Sequence, residues 1–278
     1  MRGLLSASAT SLLSPHNDGE AAAILTIARK LDLDVRESNQ PWGATLDKEP
    51  PESFLNLKQN VIIIEMPGVE KEEELRRDHT LYVIDHHRYE VLDRAHPISS
   101  LEQFASLIGY QLNRWETGVA LNDRGYITAL EKNGYTDPEI QAIRKFDMQA
   151  QGLKDSDFAQ LTSDYDRAQQ SREGGTLVVT TRLRRTSYLS DLHYWKRKKG
   201  DTNLDLLVIS AGEETKVQEV NFYGAPGSVA RLQSNLGGFS GGDPSTGMFW
   251  GKVFGLPMPN ASEILSQIDN TLTQGKNK

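Results

Sequence analysis

Asp85, His86 and His87 stand side by side directly after the apolar run Leu81–Ile84. A carboxylate followed by two imidazoles places an acid and two nitrogen donors at the end of one extended segment. Three more sets of donors end apolar stretches. His16, Asp18 and Glu20 alternate after Thr10–Pro15, Glu65 follows Val61–Ile64, and Asp123 lies in Asn122-Asp123-Arg124-Gly125. All of these donors are oxygen or imidazole nitrogen, and the 0 Cys of the chain leave no thiolate alternative. Such a set suits manganese, magnesium, iron or zinc, with manganese favoured by the oxygen-rich mixture. Two ions a few ångström apart need a shared carboxylate and several terminal ligands, and the four sets supply about that number.

The elements that would carry these donors emerge from pattern. Val61–Ile64 and Leu81–Ile84 read as buried strands, each stopped by a charged residue. Thr10–Pro15 is a weaker strand candidate. It leads into a helix over 21–31 that Asn17 or Asp18 can cap and that ends on Arg29 and Lys30. Donors at the C-terminal ends of such strands sit where open α/β sheets hold ligands. Residues 32–54 read as a loop with a short strand near Val35, and 70–77 as a charged helix or loop. Ser99 and Glu102 have capping-box spacing and open an amphipathic helix expected to run to Trp115. The segment 118–123 comes next, with turn chemistry at Asn122–Gly125. Asp137-Pro138 starts another helix that reaches about Gly152, and a polar helix spans about 156–172. The spacing then predicts strands at 176–181, 204–210 and 217–223, helices at 190–199, 226–236 and 261–272, and a glycine-rich loop at Gly237–Gly242. The order strand, helix, strand, strand, helix suggests a small α+β or split βαβ unit.

At 278 residues with 37% hydrophobic content the chain can bury two cores. A boundary is expected at Gly174-Gly175, giving domains 1–173 and 174–278. The net charge of -7 is uneven, since the first part carries the whole acidic excess and the second leans basic. An acidic part suits metal collection, and a basic part suits an anionic substrate. No run of about 18 apolar residues predicts a membrane span. Met1–Leu13 makes a poor signal peptide, so a cytoplasmic location is the expectation.

With these residues in place, the chain resembles the DHH phosphoesterase superfamily of RecJ-type exonucleases, nanoRNases, cyclic-dinucleotide phosphodiesterases and manganese pyrophosphatases. Asp85-His86-His87 is similar to the namesake motif, and His16-Asn17-Asp18-Gly19-Glu20 to the first motif, usually His-x-Asp-x-Asp-Gly. Glu65 and Asp123 fall where the family has its other two aspartates, and Gly237–Gly242 resembles the glycine motif of the associated C-terminal domain. Glu20 and Glu65 replace aspartates, which moves each carboxylate out by one methylene. Phe239, Ser240, Asp243 and Pro244 stand where a Gly-Gly-His sequence is usual, so the substrate contact departs more than the metal set. Ser14–Asp18 with Glu20 also resembles the signature of zinc sugar deacetylases, a family that accounts for neither Asp85–His87 nor the glycine-rich end.

The resemblance implies an α/β fold, a parallel doubly wound sheet domain followed by a smaller α/β substrate-binding domain. It implies two manganese ions. His16, Asp18 and Glu65 would hold one, and Glu20, Glu65, His86 and Asp123 the other, with Glu65 bridging. His87 would meet the substrate phosphate, Asp85 would orient the histidines, and Arg124 could clamp phosphate. Arg182 and Arg184, with Gly237, Gly238, Gly241 and Gly242 as a backbone N–H cradle, would bind substrate in the second domain. Arg185 and Lys196–Lys199 share its basic character. The expected activity is hydrolysis of a phosphate ester in a nucleotide or short oligonucleotide, since an acidic chain lacks the basic track of a processive nuclease. A small-anhydride phosphatase and a non-catalytic regulatory module are the other readings. The oligomeric state is left open, a homodimer included. His79, His96 and His193 receive no role, and His193 is the expected control for substitution.

Overall fold

The computed structural model describes residues 5–41, 43–89, 92–169, 175–211, 216–243 and 247–273. The chain is α/β and divides into two compact units, Met1–Gly152 and Leu153–Lys278.

The first unit holds a four-stranded parallel sheet, β1 (Thr10–Pro15), β2 (Asp34–Ser38), β3 (Asn60–Ile64) and β4 (Thr80–Ile84), in the order β2-β1-β3-β4. Burial dictates this arrangement. In β3 both alternating faces are covered, as the uninterrupted run Val61–Ile64 requires. One face packs Leu13, Val61 and Ile63 against Leu75 of α2 (Val69–Asp78), and Leu12, Ile62 and Ile84 are buried on the other. Because β1 has neighbours on both sides, the chain reverses direction across the sheet at β1. The register pairs Ile64 with Ile84 and Leu13 with Ile63, so Glu65, Asp85 and the turn after β1 all emerge at the C-terminal edge. That edge, at a topological switch point, is where such sheets bind ligands.

Helices α1 (Gly19–Lys30), α3 (Ser100–Ile108), α4 (Arg114–Lys132) and α5 (Asp137–Ala150) complete this unit. The single helix expected over Ser99–Trp115 is two. Gly109 adopts the left-handed conformation at φ 70° and ends α3, and Asn113 caps α4 with a second capping box through Glu116. Asn122–Gly125, expected as a turn, instead lies within α4. The helix is interrupted there by non-helical backbone at Gly125 and Tyr126.

The second unit starts at Leu153, 21 residues before the boundary expected at Gly174, a residue outside those described. Its first helix is α6 (Asp155–Gln169), and the end expected for this helix near Arg172 also lies outside the described residues. α6 packs on β5 (Thr176–Thr181) and α7 (Ser187–Lys198), which is why it belongs to the second unit. A mixed sheet has the order β5-β6-β7-β9-β8, with β6 (Asp205–Ala211) parallel to β5 and all other pairs antiparallel. β7 (Val217–Gly224) pairs with β9 (Gly247–Val253), a strand not expected from the sequence pattern. The helices α8 (Pro226–Leu236) and α9 (Ala261–Thr273) cover one face through Val229, Leu232, Ile264 and Ile268.

The glycine-rich stretch expected as a loop is largely the edge strand β8 (Phe239–Asp243). A Cβ at Gly241 would lie 2.8 Å from Cε1 of Phe249, so an aromatic ring takes the space a side chain would fill. The glycines at 238, 241 and 251 thus serve close packing within the sheet. Pro244, which marked the departure from the family pattern, lies outside the described residues. No helix of the described residues is long and apolar enough to cross a membrane.

Candidate metal centre

Four segments bring their donors to one point above the C-terminal edge of the first sheet. Nε2 of His86 lies 2.9 Å from Oδ2 of Asp123, 3.2 Å from Oε1 of Glu65 and 3.7 Å from Oε2 of Glu20. The side chain of Glu20 is almost wholly buried, and that of His86 is 12% exposed. Glu20 Oε2, His86 Nε2 and Asp123 Oδ2 are all buried and make no hydrogen bond of good geometry, although a protonated His86 forms an ion pair with Asp123. A buried polar atom left unpaired costs free energy, about 1–3 kcal/mol for a neutral group and more for a charged one. Three such atoms facing one another form a group that could hold a cation.

Local structure explains each placement. Glu20 sits in the first turn of α1, and its Oε1 accepts from the backbone N–H of Leu101 at the start of α3. That contact uses one oxygen on a helix N-terminus and leaves the other facing His86. Glu65 takes a positive φ of 49° as β3 ends, a left-handed geometry that costs a non-glycine residue about 1–2 kcal/mol. Its N–H donates to Ile84 O, and its Oε1 accepts from the Ser100 hydroxyl. Asp85 is buried at the end of β4. Its Oδ1 accepts from the His87 N–H at 3.0 Å and lies 3.1 Å from His87 Nδ1, and its Oδ2 accepts from Tyr89 Oη. A carboxylate on Nδ1 fixes the ring and turns Nε2 outward. The His87 side chain is 42% exposed.

The two sets of side chains able to hold an ion are Glu20-His86-Asp123 and Glu65-His86-His87 among the described residues. The first fits better, because its three donor atoms have no hydrogen-bond partner outside the set, whereas His87 Nδ1 is already engaged by Asp85. The charge balance agrees. Burial opposes a proton on His86, but Asp123 and Glu65 beside it outweigh this and push its pKa up to about 11. Burial, then Asp123 and Glu65, raise Glu20 well above the ordinary carboxylate value. Burial and Glu65 push Asp18 up to about 7. Burial also works against the Glu65 carboxylate, yet His86, His87 and Ser100 hold its pKa below the usual range. A proton on His86 balances the crowded carboxylates, and a divalent cation there would supply twice that charge.

The other expected residues are placed differently. His16 is exposed, and its Nδ1 pairs with Glu37 at 2.9 Å, so it joins neither donor set. Asp18 caps α1 by accepting from Ala21 N–H. Arg124 is tied to Glu102 at 3.1 Å and donates to Pro97 O, contacts that hold it away from a clamping role. Arg182 and Arg184 are exposed in the loop after β5 and have no carboxylate partner among the described residues. Gly237, Gly238, Gly241 and Gly242 lie at the end of α8 and in β8.

Several supporting residues gave no sequence signal. Tyr89 and Arg94 both face Asp85, Arg94 from 3.9 Å while it pairs with Glu72. Asp147 of α5 accepts the Gly19 N–H at 2.9 Å. Close approach explains the glycine, since a Cβ at position 19 would lie 2.9 Å from Asp147 Cα. Gly19→Ala should therefore destabilise the fold by roughly 1–3 kcal/mol through overpacking. Urea denaturation measures this, and an unchanged midpoint would show that α5 can shift aside.

No protein-family model matches the sequence, and no curated protein matches it. Among solved structures the chain is similar to RecJ. The Mn2+ complex of RecJ from Thermus thermophilus aligns at 11% identity and TM-score 0.44, over 95% of this chain and 51% of that one. The Mg2+ complex of RecJ from the same organism aligns at 12% identity and TM-score 0.39, over 95% of this chain and 49% of that one. The chain thus spans about half the length of these structures.

Proposed function

We propose that this chain is a metal-dependent phosphohydrolase acting on a nucleotide or short oligonucleotide, in line with the DHH resemblance of its motifs. The observation that carries the reading is the convergence of Glu20 Oε2, His86 Nε2 and Asp123 Oδ2, buried and unpaired, with Glu65 Oε1 3.2 Å from the imidazole. Glu20, Glu65, His86 and Asp123 would hold one divalent ion, with manganese favoured. Glu65 and Asp18 would contribute to a second, since Asp18 already feels the charge of Glu65 and Asp123. Bound there, such ions supply Lewis acidity and a water acidified to near neutrality.

The remaining residues would position the substrate and move protons. The hydrogen bond that His87 donates to Asp85 raises the pKa of His87 and outweighs the opposing effect of burial. A protonated His87 would keep Nδ1–H on Asp85 and offer Nε2–H to a phosphate oxygen, where negative charge builds during displacement.

The test is Mn2+-dependent release from a panel of a dinucleotide, a cyclic dinucleotide, an adenosine bisphosphate and pyrophosphate. Turnover of a nucleotide ester in preference to pyrophosphate is expected. Calorimetric Mn2+ binding with no turnover of any member would overturn the hydrolase reading.

A further inference from the structure

Helix α5 carries a buried ion pair that contacts two of the four donor-bearing segments of the first unit. Asp147 and Arg144 are 6% and 5% exposed. Oδ1 of Asp147 accepts the backbone N–H of Gly19, the residue between Asp18 and Glu20. Its Oδ2 accepts from Arg144 Nη1 at 3.1 Å and from Gln151 Nε2. The same Arg144 Nη1 donates to Asn122 Oδ1 at 3.1 Å, next to Asp123 in the chain. The guanidinium carbon lies 5.1 Å from the ring centre of Tyr126, where φ is 51° inside an interrupted helix.

On the strength of these contacts, we infer that Arg144 and Asp147 form a positioning clamp, fixing the Asp18–Glu20 turn and the Asp123 end of α4 at the spacing one cation requires. The inference rests on the metal-centre reading above. The turn after β1 and the interrupted stretch of α4 are far apart in sequence and joined through no strand of the sheet. α5 holds the first by a backbone N–H and the second by a side-chain oxygen and a ring face. A buried ion pair is a poor device for stability alone, since apolar residues of like volume often serve as well or better. It is a good device for direction, because each of its hydrogen bonds fixes an angle. Neither residue reaches the donor set itself, so both act through the segments they hold.

The test compares wild type, Asp147→Asn and the double variant Arg144→Met/Asp147→Leu. Mn2+ affinity is measured by calorimetry and the melting temperature of each metal-free protein by scanning calorimetry. The double variant should melt below wild type, because Gly19 N–H and Asn122 Oδ1 lose a partner, and, where folded, bind Mn2+ roughly 10- to 100-fold more weakly, the range seen when supporting partners of a metal site are lost. Asp147→Asn keeps the volume and an acceptor for Gly19 N–H, so it gives the same reading if the double variant does not fold, with a smaller loss. Folded variants that bind Mn2+ within about twofold of wild type would overturn the clamp while leaving the metal centre standing. A wild-type protein that binds no Mn2+ would overturn both.

Discussion

His86→Ala is expected to lower Mn2+-dependent turnover by at least about 100-fold, more than the loss of a typical supporting residue. His86 is the hub of the donor set. Its Nε2 lies within 3.7 Å of carboxylates from α1, the end of β3 and α4, and no other donor among the described residues approaches all three. Alanine removes the only nitrogen of the Glu20-His86-Asp123 set and leaves its two carboxylates facing each other. The metal-free protein should also be destabilised. A histidine whose pKa is raised from 6.5 to about 11 in the folded state contributes stability that is fully present below 6.5 and is lost as pH rises toward 11. The metal-free variant should therefore melt below wild type at neutral pH, with the gap closing in alkali. His79→Gln is the control, because His79 precedes β4 at the opposite end of the strand and bonds Lys58 O in the loop before β3. His193, the control expected from sequence, is unsuitable. It is buried and bonded to Tyr165 Oη and Leu204 O, so its loss would break both contacts. Equal turnover in His86→Ala and His79→Gln would remove His86 from the site.

Glu20→Gln should show effects of opposite sign on metal binding and on stability. The amide keeps an oxygen for Leu101 N–H but loses the charge, so Mn2+ affinity should drop by roughly 10- to 100-fold or more. Without metal, the variant should be the more stable protein. A carboxyl whose folded pKa is raised loses stability as pH climbs through and above its unfolded value, because the native state then holds a proton the unfolded chain has released. For Glu20 that penalty begins near the ordinary value of 4.5 and grows toward neutrality. For Asp18 it spans from 3.8 to about 7. Metal-free Glu20→Gln should therefore match wild type at about pH 4 and melt higher at about pH 7, whereas excess Mn2+ should favour wild type. Thermal melts with EDTA and with Mn2+ read both halves. A variant that melts lower without metal and keeps its Mn2+ affinity would remove Glu20 from the donor set.

These two residues also show how much of the site could be read without a structure. His86 was legible because a buried strand ending in Asp-His-His is chemically unusual. Glu20 was legible because it alternates with His16 and Asp18. His16 shared that alternation yet turned to Glu37 on β2, a neighbour no local pattern names. Arg124 was adjacent to a donor in sequence, but a helix sends adjacent side chains in different directions, and Glu102 holds it. Asp147 was one acid among several on an amphipathic helix, and only the approach of Gly19 set it apart.

The sequence by itself determined the parallel strands and their donor-bearing ends. Val61–Ile64 has no polar face to expose and is buried on both sides, whereas Leu81–Ile84, expected to be equally buried, is an edge strand in which only Ile84 is buried; the charged residue after each stops the strand at the C-terminal edge. It likewise determined the capped start of α3 and the proline in the first turn of α5. Tertiary structure decided where the first helix after β4 breaks, that Phe239–Asp243 is a strand, and which donors meet. Phe-Ser-Gly-Gly-Asp has little strand preference of its own, and it becomes β8 only because β9 supplies hydrogen bonds and Phe249 fills the space over Gly241. The donor set, too, is a product of packing. Glu20, Glu65, His86 and Asp123 are brought within a few ångström by strand register, a left-handed turn at Glu65 and the grip of α5 on its two neighbours.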